Sequence, residues 1–111
     1  MVLALDFEQA QPFVSEVLTI DATAGGVPFT KATYNNSNSN GGAVGALLTL
    51  ETGAIRYTID GITAPTSTVG HLMNPGDPMP VRLVGPQTVA NFKAIRVTGT
   101  SGALTVTYLR W

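Results

Sequence analysis

Residues 54–83, AIRYTIDGITAPTSTVGHLMNPGDPMPVRL, decide the fold class of this chain. Apolar and polar side chains alternate from 55 to 60, which is the period-two pattern of a half-buried strand. A loop rich in threonine and proline follows, and residues 74–77, Asn-Pro-Gly-Asp, have the composition of a type II turn. Alternation resumes at residues 79–84. Strand, loop, turn and strand in this order are typical of antiparallel β structure, and the stretch contains no catalytic motif.

The same alternation recurs along the rest of the chain between glycine-, proline- and asparagine-rich breaks. It predicts strands at residues 13–21, 27–34, 43–51, 54–60, 79–84, 92–98 and 103–110. Pro28 and the prolines on either side of Met79 predict edge positions for two of these strands, because proline cannot donate a ladder hydrogen bond. The apolar segment 43–51 predicts a central strand. Glycine turns at 52–53 and 99–102 predict hairpins between the strands that they join.

These strands, with one helical turn at residues 87–91, predict an all-β fold of about seven or eight strands, a single antiparallel β-sandwich or jelly roll. We assign the sandwich domain to residues 13–111. Residues 1–12 form either a frayed terminus or an extended arm that adds to a neighbouring subunit's sheet. The alternation of Leu3, Leu5 and Phe7 with smaller or polar residues favours the arm.

The composition limits which kinds of molecule the chain is expected to bind. Only 12% of the 111 residues are charged, about half of the ~25% usual in soluble domains. Threonine, serine, asparagine and glycine cover the surface instead, which is typical of surfaces that pack against neighbours, although a small threonine-rich β protein can also stay monomeric. The net charge is −1 and the basic residues are scattered, so nucleic acid is not an expected partner. The chain has no cysteine, and no signal peptide or membrane helix is expected.

No pattern of catalytic or ligating residues stands out. His71 has no diagnostic nucleophile or carboxylate in sequence, and one histidine cannot build a histidine-rich metal site. Tyr57 and Tyr108 lie on apolar strand faces and are expected in the core. Trp111 is either a lid on the sandwich or an interface anchor. The Asn/Ser-rich residues 35–42 predict an exposed loop, with glycan or metal binding as the alternative. We therefore expect no enzyme activity, no cofactor and no metal.

Four segments of the C-terminal half resemble small β-sandwich structural proteins of tailed bacteriophages. These segments are IRYTIDG (55–61), PTSTVGHLMNPGD (65–77), PVRLVG (80–85) and NFKAIRVTGTSGALTVTYLR (91–110). The resemblance covers about half of the chain, and its motifs are strand and turn patterns without an active site.

The resemblance implies a virion protein made in the host bacterial cytoplasm, a head decoration or cement protein that binds the major capsid protein or other virion proteins. A small tail or neck protein, or a carbohydrate-binding module on the tail, is the alternative. The expected assembly is a homo-oligomer, a trimer or a dimer. The candidate interface residues are Leu3, Leu5, Phe7 and Trp111.

Overall fold

The computed structural model describes residues 10–35 and 42–111. This part of the chain forms two antiparallel four-stranded sheets and two short helices. The strands are β1 Gln11–Ile20, β2 Val27–Pro28, β3 Gly45–Glu51, β4 Ile55–Thr58, β5 His71–Met73, β6 Val81–Val84, β7 Lys93–Arg96 and β8 Gly102–Arg110. The helices are α1 Lys31–Tyr34 and α2 Pro86–Asn91. Within the described ranges, neither helix is long and apolar enough to cross a membrane.

The order of strands identifies the sandwich as a jelly roll. One sheet has the order β1-β8-β3-β6 and the other has the order β2-β7-β4-β5. The first strand therefore pairs with the last, the second with the seventh, the third with the sixth and the fourth with the fifth. This nested pairing is that of an eight-stranded double-sheet jelly roll. The predicted all-β sandwich is confirmed.

Alternation along each strand places one side of each sheet in a shared core. Leu104, Val106 and Tyr108 of β8 are fully buried, and the intervening residues are only partly buried. An aromatic cluster fills the middle of the core. Phe92 stacks on Phe29 with ring centroids 4.0 Å apart and the rings nearly parallel, and Tyr108 meets the Phe29 ring edge-on at 5.4 Å. The expected core position of Tyr108 is confirmed.

Several edge and centre assignments made from sequence are also correct. Pro28 lies in β2, which is an edge strand, and β6, which follows the Met79 prolines, is an edge strand as well. The apolar strand β3 is central, between β8 and β6. The single helical turn predicted near residues 87–91 is α2.

Both predicted hairpins are wrong. β3 and β4 lie in different sheets, and so do β7 and β8. The glycine turns at 52–53 and 99–102 carry the chain from one sheet to the other, because both β3 and β8 are already paired on their two sides, β3 with β8 and β6, and β8 with β1 and β3. A turn signal marks where a chain reverses and does not specify which sheet receives the next strand.

The two crossings pack against each other at one end of the sandwich. The Thr52 hydroxyl donates to the Ser101 carbonyl at 2.7 Å and accepts from the Ala103 amide at 3.1 Å. A Cβ atom added at Gly53 would lie 2.2 Å from the Thr100 carbonyl oxygen, and one added at Gly102 would lie 2.7 Å from the Gly53 carbonyl oxygen. Glycine is therefore required at both positions for the crossings to touch.

Two local assignments also need correction. The strand predicted at residues 27–34 is the two-residue β2 followed by helix α1, because Phe29 turns into the core instead of continuing the strand. Strand β5 was not predicted, because its three residues are too few to show alternation. Most of the predicted Asn/Ser loop and most of the predicted arm lie outside the described residues, and β1 begins at Gln11.

Candidate interaction surfaces

The outer side of the β1-β8-β3-β6 sheet is a surface with few charges. Strand register places on it the side chains that alternate with the core residues. We call this surface the threonine face; its residues are Ser15, Val17, Thr19, Leu47, Thr49, Glu51, Arg82, Val84, Ala103, Thr105 and Thr107. Across it, the Ser15 and Thr107 hydroxyls hydrogen-bond at 2.9 Å.

Hydroxyl and aliphatic side chains dominate the threonine face. Only Glu51 and Arg82 are charged, and they lie at the end of β3 and on the edge strand β6. Val17 and Val84 are 66% and 56% exposed, on the two opposite edge strands. Charged residues are depleted at the centres of protein interfaces, so this composition is that of a surface suited to contact another protein.

Below this face, one carboxylate points into the sandwich. Glu16 lies on the inward register of β1, opposite Val106. Its Oε2 atom accepts from the buried Tyr108 hydroxyl and from the Thr30 amide at 3.3 Å. The carboxylate thereby ties edge strand β1 to β8 and to the segment before α1. An inward charge on an edge strand also disfavours unintended pairing with other chains.

We predict that this pair makes the protein sensitive to high pH. Burial, and secondarily the Glu16 carboxylate, raise the pKa of Tyr108 far above its ordinary value of 10.0. The hydroxyl must therefore stay protonated in the folded protein, whereas it ionises near pH 10 when the chain unfolds. Its contribution to stability is full below pH 10 and declines as the pH rises above 10, with a slope of up to about 1.4 kcal/mol per pH unit.

The variant Tyr108→Phe tests this prediction. At pH 7 we expect a loss of about 1–3 kcal/mol in the free energy of unfolding, because Glu16 loses its hydroxyl donor. Above pH 10 the variant should lose stability less steeply than the wild type. Urea unfolding from pH 7 to 11 measures both effects. Parallel declines for the two proteins would show that Tyr108 ionisation is not linked to folding.

Part of the outer side of the second sheet is covered by the chain itself, whereas Leu72 on edge strand β5 is 49% exposed. The loop between β4 and β5, residues 59–70, folds back over this sheet. The Arg56 guanidinium donates to the Ser67 carbonyl at 3.1 Å and to the Gly70 carbonyl at 2.9 Å. Pro65 is buried, and its ring would touch a Cβ atom added at Gly26. Of the two outer sheet surfaces, only the threonine face therefore lacks such a loop among the described residues.

A cleft of about 320 Å³ lies beside this loop. It is lined by Thr58, Ile59, Asp60, Thr63, Val69, Gly70 and His71. Asp60 Oδ1 accepts from the Ile62 amide at 2.9 Å and from the Thr63 amide at 2.8 Å, and these bonds lower the pKa of its carboxyl group. The His71 ring contacts the Tyr57 ring at a centroid distance of 5.3 Å. Among residues 10–35 and 42–111, no side chain hydrogen-bonds to His71, so the cleft holds no histidine–carboxylate dyad.

The predicted interface residues are only partly described. Trp111 is 55% exposed and follows the end of β8. Leu3, Leu5 and Phe7 lie outside the described residues. In the part of the chain that the structure covers, no group of three or more histidine, cysteine, aspartate or glutamate side chains could hold a metal ion.

Sequence reasoning did not identify the threonine face or the exposed Ile62. The signal for the face was present, since Thr105 and Thr107 alternate with Leu104 and Val106. It became a candidate surface only when the sheet order placed four such strands side by side. No sequence signal separated Ile62 from a core isoleucine.

Compared with family models, with curated proteins and with solved structures, the chain matches none of them.

Proposed function

We propose that this protein is a non-enzymatic structural protein of a tailed-phage virion, a head decoration protein that binds the capsid surface through its threonine face and stabilises the shell. The observation that carries the proposal is the composition of that face, four strands wide with only Glu51 and Arg82 charged. The resemblance of residues 55–61, 65–77, 80–85 and 91–110 to small virion proteins supports the same function.

The chemistry of the face fits a protein partner. A charge that is buried in an interface must be paired, or it weakens binding. Here the central positions, Thr105, Thr107 and Thr49, are hydroxyl side chains that need no counter-ion. Jelly rolls occur in capsid proteins, lectins and cupins alike, so the fold by itself does not choose among these functions. The proposal therefore rests on the surface.

The size of the face bears on how it would bind. Strands about 4.8 Å apart and about eight residues long at ~3.3 Å per residue give four strands an area of roughly 500 Å². A standard interface buries about 800 Å² on each partner. The face alone therefore supports a weak contact, and further contacts or symmetric repetition must add to it. Trp111 and the predicted arm with Leu3, Leu5 and Phe7 are candidates for the additional contacts.

Lysine substitution at the centre of the face tests the proposal. We expect Thr105→Lys to weaken binding to expanded heads by about 30-fold or more, because an unpaired charge buried at an interface costs about 2 kcal/mol or more. The heads come from the phage that encodes the chain, prepared without this protein. Co-sedimentation with the heads, over a range of protein concentrations, measures affinity.

Ser67→Lys is the matched control. Ser67 is exposed on the loop that lies over the opposite sheet, and among the described residues only its carbonyl oxygen takes part in a hydrogen bond. This variant should bind like the wild type, and thermal unfolding confirms that both variants fold. Equal binding by the two variants would remove the threonine face from the contact. A wild-type protein that ignores heads but binds a glycan on an array would favour the carbohydrate-binding alternative.

A further inference from the structure

One isoleucine side chain is exposed to solvent on a hydrogen-bonded turn. Ile62 is 91% exposed, more than any other large hydrophobic residue among those described. Asp60 Oδ1 accepts from the amides of Ile62 and Thr63, and the Thr58 hydroxyl donates to the Thr63 carbonyl at 2.7 Å. At the base of the turn, a Cβ atom added at Gly61 would lie 2.9 Å from the Asn91 side chain. These contacts fix the direction in which Ile62 points.

Such an arrangement lowers the entropic cost of docking. The β-branched side chain of isoleucine is stiff at χ1, so little rotamer freedom remains to be lost when it is buried. Met79 is also strongly exposed, at 74%, but its unbranched side chain loses more freedom on binding. Ile62 is therefore the better anchor of the two.

A cavity that could receive such an anchor lies beside α2. We call it the Tyr34 cavity; it is lined by Lys31, Tyr34, Asn35, Ala43, Pro86, Gln87 and Ala90 and has a volume of about 230 Å³. A volume of about 150 Å³ holds a benzene molecule, so the four carbons of an isoleucine side chain fit this cavity by volume. Tyr34, Ala43, Pro86 and Ala90 supply the apolar part of its lining, and the other three residues are polar or charged. Pro86, Gln87 and Ala90 of α2 line the cavity, and the last residue of α2, Asn91, lies against the Ile62 turn.

Charge favours the same pairing. The carboxylate of Asp60 accompanies Ile62 on the exposed turn, whereas Lys31 stands at the edge of the Tyr34 cavity. The carboxyl group of Asp60 and the ammonium group of Lys31 are opposite charges on exposed residues. Docking Ile62 of one copy into the cavity of another brings these two charges together.

We propose that Ile62 of one copy inserts into the Tyr34 cavity of the next, so that the protein assembles with itself head to tail. The knob and the cavity are different surfaces of the same chain, so the contact is heterologous and closes into a ring when the rotation permits. None of these residues belongs to the threonine face. Self-assembly is therefore separable from binding to a shell.

Cysteine trapping tests this contact, because one aliphatic anchor and one exposed ion pair give a weak association. The chain has no cysteine of its own, so single variants report single positions. Ala64→Cys protein carrying a size tag, in which Ile62 is kept, is mixed with untagged Ala90→Cys protein under mild oxidation; Ala64 is exposed and lies two residues after Ile62. We expect the mixed disulfide dimer to form about tenfold faster than either symmetric dimer, because docking raises the effective concentration of the two thiols.

Val17→Cys replaces Ala64→Cys in the control mixture, since Val17 is an exposed residue on the threonine face. Equal rates of mixed-dimer formation in the two mixtures would overturn the proposal. Rapid formation of the symmetric dimer of the Ala64→Cys protein would also overturn it, because it would indicate an isologous contact.

A charge reversal gives a second readout. Lys31→Glu, introduced into the Ala90→Cys protein, should slow the mixed crosslink about threefold or more at low salt and less at high salt. An unchanged rate would contradict the pairing of Asp60 with Lys31. Head binding by an Ile62→Ala variant, which lacks the anchor, is measured in parallel. It should match that of the wild type at low occupancy, so that a failure of self-assembly and a failure of shell binding are told apart.

Discussion

The variant Gly53→Ala should lose about 3 kcal/mol of unfolding free energy, at the upper end of the range for overpacked sites. The added Cβ atom would lie 2.2 Å from the Thr100 carbonyl oxygen and 3.0 Å from the Ser101 carbonyl oxygen. Both obstacles are backbone atoms, which cannot rotate away as a side chain can. The two crossings between the sheets must then separate, and the Thr52 hydrogen bonds that join them are disturbed.

Gly99→Ala is the control, because a Cβ atom at Gly99 meets nothing within 4 Å. It should change stability by less than about 0.5 kcal/mol. Chemical denaturation measures the difference in unfolding free energy between the two variants, and equal m-values show that the comparison is valid. If Gly53→Ala is as stable as Gly99→Ala, the two crossings do not touch and the jelly-roll connections described here are wrong at that end.

The second large effect is expected at the centre of the core. Phe92→Ala should destabilise the protein by about 3–5 kcal/mol, the usual loss for a buried phenylalanine. Phe92 is fully buried, stacks on Phe29 and contacts the Tyr57 ring at a centroid distance of 5.5 Å. Removal of its ring leaves a cavity where both sheets meet. Because domains of this size are stable by about 5–15 kcal/mol, such a loss brings the protein close to unfolding.

Trp111→Ala provides a comparison, since it also removes an aromatic ring but from a residue that is 55% exposed. We expect a smaller loss for it, well under half of that for Phe92→Ala. Thermal and urea unfolding give the ranking. A loss at Trp111 equal to that at Phe92 would indicate that Trp111 covers part of the core and does not serve as an anchor for a partner.

The sequence was sufficient for most of the strands and for their inward faces, although it missed β5 and extended β2 into α1. Alternation at Leu104, Val106 and Tyr108 predicts the core side of β8, and Pro28 correctly predicts an edge strand. It was not sufficient for the connections, since Gly53 reads as a hairpin turn whether the next strand joins the same sheet or the opposite one. The chain crosses to the other sheet after β3 and returns before β8, because β3 and β8 are each paired on both sides. That pairing depends on strands from both ends of the chain, which no local turn signal specifies.

The candidate surfaces depend even more on tertiary structure. The outward threonines of β8 are visible in the sequence, but the threonine face exists only because β1 and β3 flank β8. The sequence does not distinguish Ile62 from a core isoleucine. Its exposure follows from the turn at Asp60, which places it away from the core. The sequence predicts that Trp111 is either a lid on the sandwich or an interface anchor. Trp111 is 55% exposed, and its role, like the roles of Leu3, Leu5 and Phe7, remains a prediction.

A cryo-EM map of a phage head carrying this protein tests the central claim most directly. The proposed function predicts that the β1-β8-β3-β6 sheet faces the shell, with Thr105 and Thr107 in the contact and the loop at residues 59–70 turned away from it. A map in which the threonine face points to solvent, or in which the protein is absent from the head, would contradict the proposal.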